Sequence, residues 1–241
     1  MKSEALRRQF NLSGPGVFPV IHALDTIQVN TNVKIATAQG AAGIFLINHD
    51  FGPAELLPII AGCRDAFPDT WIGVNFLGVT LDHALPDIFD LQDKGCKIDG
   101  YWADDARIDE RRAVDDQPEA NLIAESRSAW GGLYFGGTAF KKQRPVAEQD
   151  YPESARIAAQ WMDVVTTSGV ATGEEAGDEK MRIFRQAVGD TALGLASGVT
   201  PENVSIYGQY ADAILVATGI NYDADFYNID PAKLAQLMGR I

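Results

Sequence analysis

Short, almost wholly apolar runs alternate along the chain with longer segments in which apolar residues recur every three or four positions. The runs GIFLIN, WIGVNFL and AILVA lack the polar–apolar alternation of a half-exposed strand. Strands of a parallel sheet, buried on both faces, have this composition. The pattern predicts strands at 17–23, 43–48, 71–77, 100–103, 133–137, 164–167, 192–196 and 213–217. Helices are predicted over 26–40, 53–67, 81–94, 119–130, 152–162, 178–188, 201–210 and 230–238. Several open on Pro, Asp or Thr-Pro and close at Gly, where proline's fixed φ suits a first turn and glycine tolerates the left-handed exit. Strict alternation of strand and helix implies parallel strands joined by right-handed crossovers. Eight such units predict an α/β fold, a (β/α)8 TIM barrel, with an open doubly wound sheet as the runner-up. A single domain over 1–241 is expected, with 1–16 as an N-terminal arm or barrel plug. The charged stretch 104–118, DDARIDERRAVDDQP, reads as a lid over the strand ends or as a solvated loop.

The 241 residues suit one barrel, and a chain of this length buries roughly three quarters of its unfolded surface. The formal net charge of -13 disfavours nucleic acid as a partner but leaves room for a small anion held by backbone amides. Cys63 and Cys96 lack metal-ligand spacing and fit a reducing, cytoplasmic setting. No apolar window has the length of a membrane helix, so membrane insertion is not expected, whereas a homo-oligomer is compatible with the fold class.

In a barrel, the residues that end each strand converge on one mouth. The candidates are therefore His22 and Asp25; Asn48, His49 and Asp50; Asn75; Asp104 and Asp105; Lys141 and Lys142; Ser168, Gly169, Thr172 and Gly173; Ser197 and Gly198; Thr218 and Gly219. The sharpest local signal is at the end of the chain, where ASGVTPENV and VATGI close strands seven and eight. Small residues there let main-chain N–H groups approach a phosphate, and a helix beginning at Thr200–Pro201 would add its dipole. Ser197, Gly198, Val199, Thr218 and Gly219 are the expected phosphate cradle; glycines that merely turn the chain are the alternative. His49, Lys141, Ser168, Gly169 and Thr172 are expected to touch the rest of the ligand. Asn75, a polar residue inside an apolar strand, needs a partner. With His22 it is expected to orient the reacting end, while Asp105 or Asp50 moves a proton. No cofactor is called for. A divalent metal on His22, His49 and Asp50 is an alternative without supporting HxH or HExxH spacing. His83 reads as a surface residue.

The stretches DVVTTSGVATGEEAGDEKMRIFRQAV, LGLASGVTPENVSIYGQYADAILVATGI and YNIDPAKLAQLM together resemble the C-terminal half of the BtpA/SgcQ-type barrels. In the N-terminal half, VIHAL with His22, GIFLINHDFG, and GVNFLG with Asn75 resemble that family's first three strands, and Lys141–Lys142 stands where the family tends to a lysine–histidine pair. The segment between strands four and five departs from the family. The resemblance implies a barrel similar to those that handle phosphorylated small molecules; one branch is linked to photosystem I accumulation and another lies among sugar-metabolism genes. Three functions are carried forward: an enzyme acting on a sugar or nucleoside phosphate by isomerisation, aldol cleavage or glycosyl-bond chemistry; a non-catalytic binding or assembly factor; and a metal-dependent hydrolase.

Overall fold

The computed structural model describes residues 1–169 and 175–241. Eight strands form a closed barrel in sequence order: β1 (Gly16–His22), β2 (Ile44–Ile47), β3 (Ile72–Asn75), β4 (Gly100–Ala103), β5 (Leu133–Gly137), β6 (Val164–Thr167), β7 (Ala192–Ala196) and β8 (Ala213–Val216). Every neighbouring pair is parallel, and β1 closes on β8 through Val17 opposite Ile214 and Phe18 opposite Leu215. The open-sheet alternative is thereby overturned. Helices α1 (Ser3–Phe10), α2 (Thr26–Ala38), α3 (Pro53–Ala66), α4 (Leu81–Asp93), α5 (Pro118–Ser126), α6 (Tyr151–Trp161), α7 (Asp178–Val188), α8 (Val204–Tyr207) and α9 (Pro231–Met238) complete the chain. Asp25 caps α2 by accepting from the Gln28 N–H, and Asp230 caps α9 in the same way. Among the described residues no helix is long and apolar enough to cross a membrane.

Each strand sends alternate side chains into the barrel and out against the helices. The inward set contains Phe18, Val20, Phe45, Ile47, Trp102, Leu133, Phe135, Val164, Ala196 and Leu215. Phe18, Phe45 and Phe135 meet with centroids 5.1–6.1 Å apart, and Trp71 abuts all three from below. Glycines make room for these rings: a Cβ at Gly73 would lie 2.3 Å from Phe45, and one at Gly100 would lie 2.4 Å from Trp71.

The expected arm is a helix that closes the barrel's N-terminal end. Leu6 of α1 is fully buried, and Phe10 packs edge-on against Phe18 and Trp71. Buried Asp212 accepts from the Ser3 hydroxyl and from the guanidinium groups of Arg7 and Arg185. Residue 16 lies in β1 rather than in the arm.

Two helices are shorter than the pattern predicts. The helix expected over 119–130 ends at Ser126 and continues as a 3-10 turn, Arg127–Ala129. The helix expected over 201–210 is the single turn of α8, preceded by turns at 201–203 and followed by Gly208. A helix this short supplies no dipole of consequence, so the contribution expected at Thr200–Pro201 is absent.

Candidate active site at the barrel mouth

Two-residue alternation decides what the mouth contains. On β1, Phe18 and Val20 point inward, and His22 follows in phase. The same phase brings His49 after Ile47 and Asp104 after Trp102. Gly73 and Asn75 share it, and so does Leu77. Of these, His22, His49, Leu77, Trp102 and Asp104 join Lys141, Lys142 and the segments 196–199 and 215–219 around one cavity, whereas buried Asn75 does not line it and meets it only through Asp104. Its floor is apolar, formed by Val20, Ile47, Trp102 and Leu215.

One wall is main chain. Ser197 and Gly198 both have positive φ, 107° and 69°, which turns the chain sharply after β7. The 3-10 turn Thr218–Ile220 follows β8, and the two loops touch: a Cβ on Gly219 would fall 1.9 Å from the Val199 carbonyl oxygen. Among the described residues, no acceptor is found for the backbone N–H groups of Gly198, Val199, Thr218 and Gly219. Bare N–H groups grouped on one wall suit an anion. The Ser197 hydroxyl accepts from the Gly169 N–H, which links this wall to the end of β6.

The facing wall carries ionisable side chains. Asp104 is 6% exposed and accepts from the Asn75 amide at 3.2 Å, which gives that strand-interior asparagine its partner. Burial pushes the Asp104 carboxyl above its usual range, against the pull of Asn75, Lys141 and Lys142. Burial likewise lowers the Lys141 ammonium, partly offset by Asp104. The Lys141 N–H is held by the Ser168 hydroxyl at 3.0 Å. His22 stacks on Phe226 with centroids 3.8 Å apart and meets His49 edge-on at 4.8 Å. Its Nδ1 lies 2.7 Å from the Phe226 carbonyl, which only accepts, so Nδ1 carries the proton and Nε2 is the basic nitrogen. Burial pushes the His22 pKa down to about 4, so the ring is neutral at pH 7. His49 is lowered for the same first reason, with Lys142 second.

Not every residue expected at the mouth joins the cavity. Asp105 is out of phase with Asp104; it caps the Arg107 N–H, pairs with the Arg107 guanidinium and lines a neighbouring hollow. Asp50 is exposed and accepts from the Tyr227 hydroxyl at 2.7 Å. Ser168 and Gly169 border a separate hollow with Lys180. Thr172 and Gly173 lie outside the described residues. The side chains of His22, His49 and Asp50 do not combine into a metal site: among the described residues no group of three or more His, Cys, Asp or Glu side chains could hold an ion. The 104–118 stretch ties to itself through Arg111–Asp109, Arg112–Asp116 and Gln117, and to the β5 loop through Glu110–Arg144.

Three residues carried no sequence signal for the roles they take. Phe226 comes from the loop after β8, reaching His22 from 204 positions away. Trp102 lines the cavity, and its indole N–H has no acceptor among the described residues. Lys180 of α7 donates to the carbonyls of Ala139 and Ser168, both at 2.7 Å, and ties the ends of β5 and β6 together.

A model of the BtpA family matches residues 136–241, which bears out the resemblance read from the chain's second half. No curated protein matches the chain. Among solved structures, a tryptophan synthase alpha subunit from Legionella pneumophila is 16% identical with a TM-score of 0.64, over 100% of this chain and 98% of that one. A phosphoribosyl anthranilate isomerase from Thermus thermophilus is 14% identical with a TM-score of 0.63, over 93% and 97%. A thiamine phosphate pyrophosphorylase from Pyrococcus furiosus is 14% identical with a TM-score of 0.62, over 93% and 94%. At these identities the likeness is one of fold, a TIM barrel.

Proposed function

We propose that this protein is an enzyme that binds a phosphorylated small molecule in the barrel mouth and moves a proton on it. The carrying observation is a single cavity lined both by the segments whose backbone N–H groups find no acceptor among the described residues and by Asp104, Lys141 and His22. The phosphate would rest on Gly198, Val199, Thr218 and Gly219, beside Ser197. Small residues at these two loops are the usual place for a phosphate in a barrel. Titles among the similar structures name a phosphoribosyl compound and a thiamine phosphate, and this adds support by analogy of fold only.

Asp104 is the proton-moving group in this reading. Burial lifts its pKa toward the working pH, which is what a general acid or base requires. Asn75 fixes the carboxyl, Lys141 offers a positive charge beside it, and neutral His22 presents Nε2 as an acceptor. Asp105 and Asp50, the carboxylates expected from the sequence, are engaged elsewhere and have no part in it. A thermal-shift screen of phosphorylated metabolites, followed by turnover assays on those that bind, tests the reading. Asp104→Asn is expected to lower kcat about 100-fold or more while leaving affinity within a few-fold. If no phosphorylated compound raises Tm, the reading fails. Binding without turnover would leave a binding protein and remove the catalytic half.

A further inference from the structure

The anion wall described above accounts for one charged end of a ligand. The same cavity is also lined by two lysines from the loop after β5, Lys141 and Lys142. The protein as a whole is acidic, with 33 Asp and Glu against 20 Lys and Arg, so a cationic cluster runs against the average surface. Most of the rim's other cations are spoken for. Arg144 is bidentate to the buried Glu110, and Arg107 faces Asp105. Among the described residues, neither Lys141 nor Lys142 has an ion pair with a carboxylate. Asp104 is near enough to attract both, but its carboxyl already accepts from Asn75. Lys142 is exposed and lines a second hollow that opens from the mouth beside Arg107 and Arg144. In the cavity floor, Trp102 adds a buried indole N–H without an acceptor among the described residues.

The geometry points to a ligand with two anionic ends, such as a bisphosphate or a phosphate joined to a carboxylate: one end on the amide wall, the other on Lys141 and Lys142. This inference rests on the proposed phosphate site and deepens it. The amide wall holds its anion with fixed dipoles that carry no net charge. The lysines hold theirs as mobile charges, so their contribution is the more sensitive to salt.

The test uses the full chain and synthetic probes: α,ω-alkanediol bisphosphates of three to six carbons and the matched monophosphates, titrated by calorimetry at two salt concentrations. At least one bisphosphate is expected to bind tenfold or more tightly than its monophosphate, and the gap should narrow as salt rises. Lys142→Gln, on the exposed rim, is expected to collapse that ratio, with an unchanged melting temperature showing that the variant folds. Equal affinity for both probe types, or a ratio untouched by Lys142→Gln, overturns the second subsite and leaves the phosphate site standing. Failure of both probe types to bind removes the phosphate site and this inference together.

Discussion

Asp104 and Asp105 are chemically identical neighbours, and half a strand period separates their fates. Asp104 continues the inward phase of Trp102, while Asp105 turns to the Arg107 loop. The sequence put both at the end of β4, but choosing between them needed the phase of Gly100 and Trp102, which depends on the core they face. His22 shows a second residue-scale effect, one of pH. Its pKa is about 4 in the folded chain against an ordinary 6.5. Between these values the unfolded chain binds the proton and the folded chain does not, so stability is full above pH 6.5 and falls as pH drops toward 4. The whole gap amounts to about 3 kcal/mol. The groups facing the ring are the Phe226 carbonyl, His49, Lys141 and Asp50. Urea unfolding is expected to show a lower free energy at pH 5 than at pH 7. His22→Gln should remove most of that slope, and an equal slope in the variant would assign it to other groups.

At the scale of elements, α1 is the instructive case. As a sequence, MKSEALRRQF is polar and short, and it left open whether it was an arm or a plug for the barrel. Its role comes from what it covers: the underside of an aromatic layer made by Phe18, Phe45, Trp71 and Phe135. Leu6→Ala would leave a void in this fully buried position, at a cost of about 2–5 kcal/mol. Thermal unfolding should therefore shift down by roughly 5–15 °C, while ligand affinity at the opposite end of the barrel stays as it was. A shift of less than about a degree would mean that α1 is not a structural cap. At α8 the structure is shorter than expected: a Thr-Pro start predicted a full helix. The regular helix is only Val204–Tyr207, and Gly208 follows directly on it.

The whole molecule is held closed by its longest-range pairing, β1 against β8. That pairing comes last in sequence separation and removes both sheet edges at once. A chain truncated after Tyr210 would lack β8 and leave β1 and β7 with unpaired N–H and C=O groups. It is expected to elute as aggregate in size-exclusion chromatography and to lack a cooperative melt. A monomeric, cooperatively melting fragment would show that closure is dispensable.

Apolar run length, glycine and proline punctuation and the strict alternation of strand and helix were local properties, so the amino-acid order alone determined eight strands and their parallel sense and favoured a barrel, while closure rested on the pairing of β1 with β8. It also determined that small residues end β7 and β8, since the chemistry of a tight turn is written in three or four neighbouring positions. Tertiary structure decided the rest, because burial and field are properties of neighbours brought from afar. Asn75 found Asp104 across 29 positions, Phe226 covered His22 across 204, and two lysines came to face a wall of bare amides contributed by the far end of the chain.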